Sequence, residues 1–384
     1  MKPMEPYTGF EQGPIRPPSE AGSLLIRITR NCPWNRCTFC PVYKGTQFSL
    51  RPVAHVLQDI DQVHAYVASI LNAQKQDGGT AQGVRASQSI HPKDRDGVAW
   101  YAARNFVAGV MKSIFLQDGN SLIIKPDDLV RILEHLKQAF PDVERITSYA
   151  RSHTIARISD DDLARFAASG LNRIHIGMES GSDAVLANVK KGSDKETQVL
   201  AGQKVKRAGI ELSEYYMPGL GGRQLSRENA LETADALNQI NPDFIRLRWL
   251  ALPDAAPLAA QYASGAFEKM GDVETAQELL LFLESLNGIT SRVKSDHVLN
   301  LFPEVNGTLP EDRDKMAAVV KAFLSLNSKD QLVFCIGRRT HRMARLADLD
   351  DPAKRRSAEQ MCDELGATED NMDNIVESII KQFI

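Results

Sequence analysis

Apolar and polar positions along this chain alternate between two rhythms. Short apolar runs fit the two-residue period of a strand, and longer segments repeat at the three- and four-residue spacing of a helix. Leu24-Leu25-Ile26-Arg27-Ile28 predicts a first strand, and 52–71 predicts a helix. The polar stretch Gln74 to Asp96, with its Gly-Gly pair, reads as a surface insertion, and a second helix follows over 97–111. The rhythm then becomes regular. Strands are predicted at 113–116, 145–149, 173–178, 210–217 and 244–250, with helices between them. Pro126 sits where a helix starts, with Asp127 and Asp128 in its first turn. Ser159 with Asp162, and Ser193 with Glu196, form capping-box patterns, and Gly170 and Gly209 close the helices that follow.

Six strands separated by helices imply a parallel sheet with crossover connections. Beyond Pro257 the strand signal fades, and helical patterns take over, as in 274–286 and 315–326. The expected fold class is α/β, a partial (β/α)6 TIM-like barrel with a mostly helical C-terminal region. The expected organisation is an N-terminal extension over 1–22, the barrel over 23–256 and the helical region over 257–384.

Composition narrows the function classes. Of 384 residues, 43% are hydrophobic and 25% charged, which suits a globular core. A net charge of −3 supplies no whole-chain basic field, so nucleic acid is an unlikely partner. No apolar run reaches the roughly 18–20 residues that span a bilayer, so no membrane partner is expected. Met1 to Glu20 has no hydrophobic segment of the secretory kind, and the expected location is cytoplasmic. Five cysteines, an odd number, argue against a disulfide framework. Three of them, Cys32, Cys37 and Cys40, fall within nine residues. Cys335 and Cys362 read as core thiols.

The cysteine segment, Asn31-Cys32-Pro33-Trp34-Asn35-Arg36-Cys37-Thr38-Phe39-Cys40-Pro41, directly follows the first strand. Loops after strand C-termini carry the active sites of α/β barrels. Three thiolates on one loop can hold three corners of a cubane cluster and leave the fourth iron open. A closed structural zinc site wants four ligands, and no fourth Cys or His lies close in sequence.

This arrangement resembles the radical S-adenosylmethionine superfamily, whose signature is C-x3-C-x2-C with an aromatic residue before the last cysteine. Phe39 fills the aromatic place; the first gap, Pro33 to Arg36, is one residue longer than the pattern. The resemblance covers roughly 23–253. It implies a [4Fe–4S] cluster on Cys32, Cys37 and Cys40, with S-adenosylmethionine as cofactor. It further implies that Asp118, Gly119 and Asn120, in the turn after the second strand, face the methionine amine. Glu179 and Ser180 match a segment that contacts the ribose or methionine, and Lys191 matches a basic residue placed on the methionine carboxylate. Ser148, Arg151 and Glu214 are further candidate cofactor contacts.

The implied chemistry is reductive cleavage of S-adenosylmethionine to a 5′-deoxyadenosyl radical that takes a hydrogen atom from an unknown, small substrate. Such an enzyme is oxygen-sensitive and needs a low-potential electron donor of the flavodoxin or ferredoxin type. Arg246 and Arg248, on one face of the sixth strand by alternation, would suit an anionic substrate. Only about 22 residues precede the first strand, which argues against a cobalamin-dependent methyltransferase. An oxygen-independent coproporphyrinogen oxidase-like or haem-related protein is an alternative, although position 42 is Val42 where that loop carries another cysteine. A non-catalytic iron–sulfur or zinc-binding regulator is the other. His297 and Asn300 could reach the barrel mouth or end a helix, and the run Arg338, Arg339, Arg342 and Arg345 reads as a solvated helical face.

Overall fold

The computed structural model describes residues 5–76 and 97–382. The predicted insertion therefore lies mostly outside the described residues; Gln74 to Gln76 complete a helix, Val53–Gln76. Ten strands are described: β1 Leu24–Arg27, β2 Thr29–Arg30, β3 Ser49–Leu50, β4 Ser113–Gln117, β5 Arg145–Ala150, β6 Leu171–Glu179, β7 Glu211–Tyr216, β8 Phe244–Leu247, β9 Arg292–Lys294 and β10 Gly307–Thr308. Eight of them form one sheet in the order β1-β4-β5-β6-β7-β8-β9-β10, open rather than closed into a complete barrel. Among the described residues no helix is long and apolar enough to cross a membrane.

The fold class is α/β, and the six strands expected from the sequence are present as β1 and β4 to β8. The C-terminal region departs from the expectation. β9 pairs in parallel with β8, and β10 pairs antiparallel with β9. With three and two residues these strands are too short to show a period.

Contacts divide the chain into two compact units. The first comprises Met1–Asn35, Gly45–Ile176 and Lys204–Glu211; the second comprises Arg36–Lys44, Gly177–Gln203 and Leu212–Ile384. The boundaries expected from the sequence, at 22/23 and 256/257, are a different partition and remain an expectation.

In the first unit β1, β4 and β5 pair in parallel, and Leu24, Ile26, Ile114 and Leu116 are buried. Helix Pro126–Ala139 shows why such a segment folds. Proline stands at its start, two aspartates occupy the first turn, and Leu129, Ile132, Leu133 and Leu136 form one buried stripe. Truncating Leu133 there would cost about 2–5 kcal/mol by the usual cavity cost. Ser159 caps helix Asp160–Ala168 as expected, its Oγ accepting from the Asp162 amide at 3.0 Å.

The second unit has its own core. Trp249, Phe302, Phe323 and Phe334 form an aromatic cluster, with the last two separated by 5.6 Å between ring centroids. In this unit the predicted Ser193 cap is corrected. Asp194 caps the helix Lys195–Arg207 instead, its Oδ1 accepting from the Thr197 amide at 2.8 Å. The arginine run is corrected in part: Arg342 and Arg345 are exposed but stand in no helix, whereas Arg338 and Arg339 are turned to other partners. Arg339 is buried and forms a two-pronged pair with Asp272, and Arg338 donates to the Asn300 carbonyl at 3.3 Å.

Candidate active site

The cysteine loop starts from a clamp that the sequence did not announce. β2 and β3 pair antiparallel, Thr29 opposite Leu50 and Arg30 opposite Ser49, and so close the base of the loop. Inside the clamp Asn31 takes a left-handed backbone, φ 69°, which asparagine tolerates better than most residues. Its Nδ2 donates to the Gln47 carbonyl at 2.6 Å, and its amide donates to Asp118 Oδ2 at 3.2 Å. Cys32, Cys37 and Cys40 are all partly exposed and free of disulfides.

Cys32 and the turn after β4 belong to the first unit. Asp118, fully buried, accepts from Arg27 Nε at 2.9 Å and pairs with Arg27 Nη2 at 2.8 Å. This carboxylate is thus engaged by an arginine and by the amide just before Cys32. Gly119 lies in the turn between Asp118 and Asn120. Asn120 ties the turn to the segment after β5: Oδ1 accepts from the Arg151 amide at 3.1 Å, and Nδ2 donates to Thr154 Oγ1 at 2.8 Å. Ser148 is buried, its hydroxyl donating to the Tyr149 carbonyl at 3.0 Å. The Arg151 guanidinium sits 5.0 Å from the centre of the Trp34 ring, a cation–π contact onto the cysteine loop.

Cys37, Phe39 and Cys40 belong to the second unit, with Glu179, Ser180, Lys191 and Glu214. Buried Thr38 fixes the backbone between Cys37 and Cys40: its amide donates to the Val189 carbonyl at 2.9 Å, and its carbonyl accepts from the Leu258 amide at 2.8 Å. Phe39 packs on a core of Val185, Val189, Met217, Leu220, Leu250, Leu252 and Leu258. Lys191 Nζ lies 5.7 Å from the Phe39 ring centre and 3.2 Å from Glu179 Oε1. Lys190, by contrast, is exposed. Glu179 ends β6 with φ 67°, a conformation that costs about 1–3 kcal/mol in a residue of this kind and is found where the surroundings hold it. Here the Met217 amide holds it, donating to the Glu179 carbonyl at 2.9 Å. A Cβ on Gly177 would run into Glu179 Oε1 and come within 3.3 Å of Lys191 Nζ, so the ion pair folds over the bare glycine. Ser180 Oγ accepts from the Ser182 amide at 3.0 Å.

Glu214 is the outlier of this group. It is 1% exposed, and neither carboxyl oxygen has a hydrogen-bond partner in the structure. Burial pushes its pKa well above the ordinary carboxylate range; Lys191 pulls it back, and Glu179 adds to the rise. Burial of this kind favours the neutral form of a carboxyl, and a hydrogen-bonding or cationic partner opposes it.

Arg246, His297, Asn300 and Glu278 also belong to the second unit, and of these only Glu278 escaped the sequence reading. Arg246 is buried, its Nε donating to Ser213 Oγ at 3.1 Å and its Nη1 pairing with Asp296. β8 ends at Leu247, so the expected alternation does not carry to Arg248, which is exposed. His297 stands in no helix; its Nδ1 accepts from the Leu299 amide at 3.3 Å, and burial, with Arg248 next, lowers its pKa to about 4. The ring is therefore neutral, with Nε2 carrying the hydrogen. Asn300 is a brace: Oδ1 accepts from the Trp249 amide at 2.9 Å, and Nδ2 donates to the Leu247 carbonyl at 2.9 Å. Glu278, buried, accepts from Tyr216 Oη at 2.7 Å, the Gly219 amide at 3.0 Å and Asn229 Nδ2 at 2.8 Å, fixing the turn after β7.

The donor chemistry fits an iron–sulfur cluster: three thiols on one clamped loop leave one corner for an outside ligand. Among the described residues no three His, Cys, Asp or Glu side chains are already gathered as a ligand set.

No family model matches the sequence. Solved structures similar to this chain include the archaeal Methanocaldococcus infernus Elp3 with an N-terminal deletion, at 17% identity and TM-score 0.39, covering 48% of each chain. The radical S-adenosylmethionine methyltransferase TsrM from Kitasatospora setae, with cobalamin and a [4Fe–4S] cluster bound, is similar at 16% identity and TM-score 0.43 over 63% of this chain and 37% of that one. Coproporphyrinogen III oxidase HemN from Escherichia coli, a radical SAM enzyme, is similar at 13% identity and TM-score 0.40 over 94% and 90%. The chain thus spans about half or less of the length of the first two.

Proposed function

We propose that this protein is a radical S-adenosylmethionine enzyme. The observation that carries the reading is the triad Cys32, Cys37 and Cys40, on a loop that leaves the C-terminal end of the first parallel strand and is closed at its base by β2 and β3. When bound there, a [4Fe–4S] cluster supplies the electron that splits S-adenosylmethionine into methionine and a 5′-deoxyadenosyl radical.

The chain's own residues do the rest. Cys32, Cys37 and Cys40 hold the metal as thiolates. Lys191 would meet the ligand's carboxylate, and Glu179 would accept from its ribose hydroxyls. Glu214, buried with Lys191 and Glu179 nearby, would receive its first hydrogen-bond partner from the ligand. Asp118 and Asn120 act on the site through the backbone they hold. Arg248 and the Nε2–H of His297 favour a small, anionic substrate. Thiols that must stay reduced suit a cytoplasmic, oxygen-sensitive protein served by a low-potential flavodoxin or ferredoxin.

The test is anaerobic reconstitution with iron and sulfide, followed by dithionite and S-adenosylmethionine, with 5′-deoxyadenosine as the readout. Nucleoside from the native chain and none from Cys37→Ala is the expected result. A chain whose three cysteines take up zinc but never a cluster would overturn the reading.

A further inference from the structure

The segment before β1 is not a loose extension. Within the first unit Glu11 reaches Arg27 at the end of β1, Gly13 and Ile15 reach Gln117 at the end of β4, Glu5 reaches Arg30 in β2, and Tyr7 reaches Asp59 in helix Val53–Gln76. The Tyr7 hydroxyl donates to Asp59 Oδ1 at 2.8 Å. Gln117, the last residue of β4, reads the backbone of the segment: its Oε1 accepts from the Gly13 amide at 2.8 Å, and its Nε2 donates to the Ile15 carbonyl at 2.6 Å. Gly13 lies so close that a Cβ there would sit 2.9 Å from the Asp118 carboxylate.

Glu11 is the hub of this arrangement. Arg30 grips it with two bonds, Nε to Oε2 at 2.8 Å and Nη2 to Oε1 at 2.6 Å. Arg51 Nε stands 3.3 Å from its Oε1, and Arg27 Nη1 stands 3.5 Å from its Oε2. Arg51 is in turn paired with Asp59 at 2.7 Å, and Arg27 with Asp118. Three arginines and four carboxylates, Glu5 joining through Arg30, thus form one network. Two of those arginines, Arg27 and Arg30, lead directly into Asn31 and Cys32. Arg27 Nη2 also donates to Asn31 Oδ1 at 3.2 Å.

We propose that Glu11 is a positioning residue for Cys32: through Arg30 and Arg27 it fixes the left-handed turn at Asn31 and so sets where the first cysteine of the loop stands. A two-pronged guanidinium–carboxylate pair fixes direction as well as distance. Arg30 cannot turn without breaking it, and Asn31 is the next residue in the chain. Cys37 and Cys40 have a separate support, the backbone bonds of Thr38, which Glu11 does not touch. The effect of Glu11 is therefore specific to Cys32. Its value for catalysis rests on the radical-enzyme reading, but its test does not require a cluster.

The experiment is alkylation of the full-length, metal-free chain with iodoacetamide under anaerobic conditions, followed by mass spectrometry of each cysteine peptide. Glu11→Gln is expected to speed modification of Cys32 by about tenfold, the scale of one lost charge-assisted bond, while Cys37 and Cys40 stay near their native rates; the thermal midpoint falls, because three arginines lose a shared carboxylate. Glu11→Asp should restore part of the protection. Arg30→Lys, which keeps the charge but loses the fork, should act like Glu11→Gln. An unchanged Cys32 rate in both Glu11→Gln and Arg30→Lys would overturn the proposal. So would an equal rise at all three cysteines, which would make Glu11 a general stabiliser. Neither outcome bears on whether the cysteines hold a cluster, so the two readings fail separately.

Discussion

Two buried carboxyl groups, one in each unit, stand at or near the C-terminal ends of parallel strands and have opposite surroundings. Asp118, just past β4, is fully enclosed and meets Arg27 twice as well as the Asn31 amide. Glu214, in β7, is equally enclosed and meets no hydrogen-bond donor in the structure. Asp118 behaves as a finished part of the scaffold: its charge is matched, and removing a partner leaves an arginine stranded. Glu214 is unfinished. Leaving a carboxyl buried without a partner costs folding free energy, and that cost is the kind a binding site carries until its ligand arrives. The contrast separates a carboxyl already engaged by its scaffold from one left without a hydrogen-bond donor.

The largest expected effect lies on the Asp118 side. Asp118→Ala removes the carboxylate and leaves Arg27 short of a partner in a half-closed environment, which should destabilise the chain by about 3 kcal/mol in urea unfolding. Asp118→Asn keeps the shape and should recover part of that loss. A loss under about 1 kcal/mol for the alanine variant would mean that Glu11 alone satisfies Arg27, and the scaffold reading of Asp118 would fail.

Next in size is Glu214→Gln, whose effect is set by pH. The folded-state pKa of Glu214 is raised, by burial above all. Below the ordinary carboxylate range both folded and unfolded chains carry the proton, so the group contributes nothing. As pH rises through that range the unfolded chain loses its proton and the folded chain keeps it. Stability then falls with pH until the folded group also ionises. The groups that face it are Lys191, which opposes the rise, and Glu179, which adds to it. Glutamine cannot ionise, so the variant should match the native chain near pH 4 and exceed it increasingly toward pH 8. Denaturant midpoints at the two pH values decide the matter. A native advantage that grows with pH would show Glu214 to be an ordinary paired carboxylate.

The sequence made the scaffold legible where periodicity was long enough to register. Six strands and the helices between them follow from apolar runs and caps, and the helix Pro126–Ala139 could be placed from its proline, aspartates and leucine stripe. β2, β3, β9 and β10 could not be read, because two or three residues carry no period; their pairing is decided by what lies across from them. The cysteine triad was legible because three thiols so close together need a cause. The Arg27–Asp118 pair and the Glu11 hub were not, since partners 91 and about 16 to 40 positions apart leave no local signal. Arg246 and Arg248 show the same limit: alternation placed them together, but the strand stops between them.

The smallest effect on stability belongs to the most informative variant. Gly177 lies beneath the Glu179–Lys191 pair, and an added methyl would meet the Glu179 carboxylate rather than any backbone atom. A carboxylate at the end of a flexible side chain moves at little cost, and Gly177 has no left-handed backbone that alanine would strain. Gly177→Ala should therefore change the unfolding midpoint little, by less than about 1 kcal/mol, while pushing Glu179 away from Lys191. If that pair is the receptive part of the site, binding of S-adenosylmethionine to the reconstituted chain should weaken by about tenfold in calorimetry, the scale of one lost charge-assisted contact. Undiminished binding would mean that Glu179 and Lys191 are only an ion pair at the end of β6. The receptive character of the second unit would then rest on Glu214 alone. A large loss of stability would instead show that the glycine is needed for packing, because a displaced side chain with room to move cannot cost several kcal/mol.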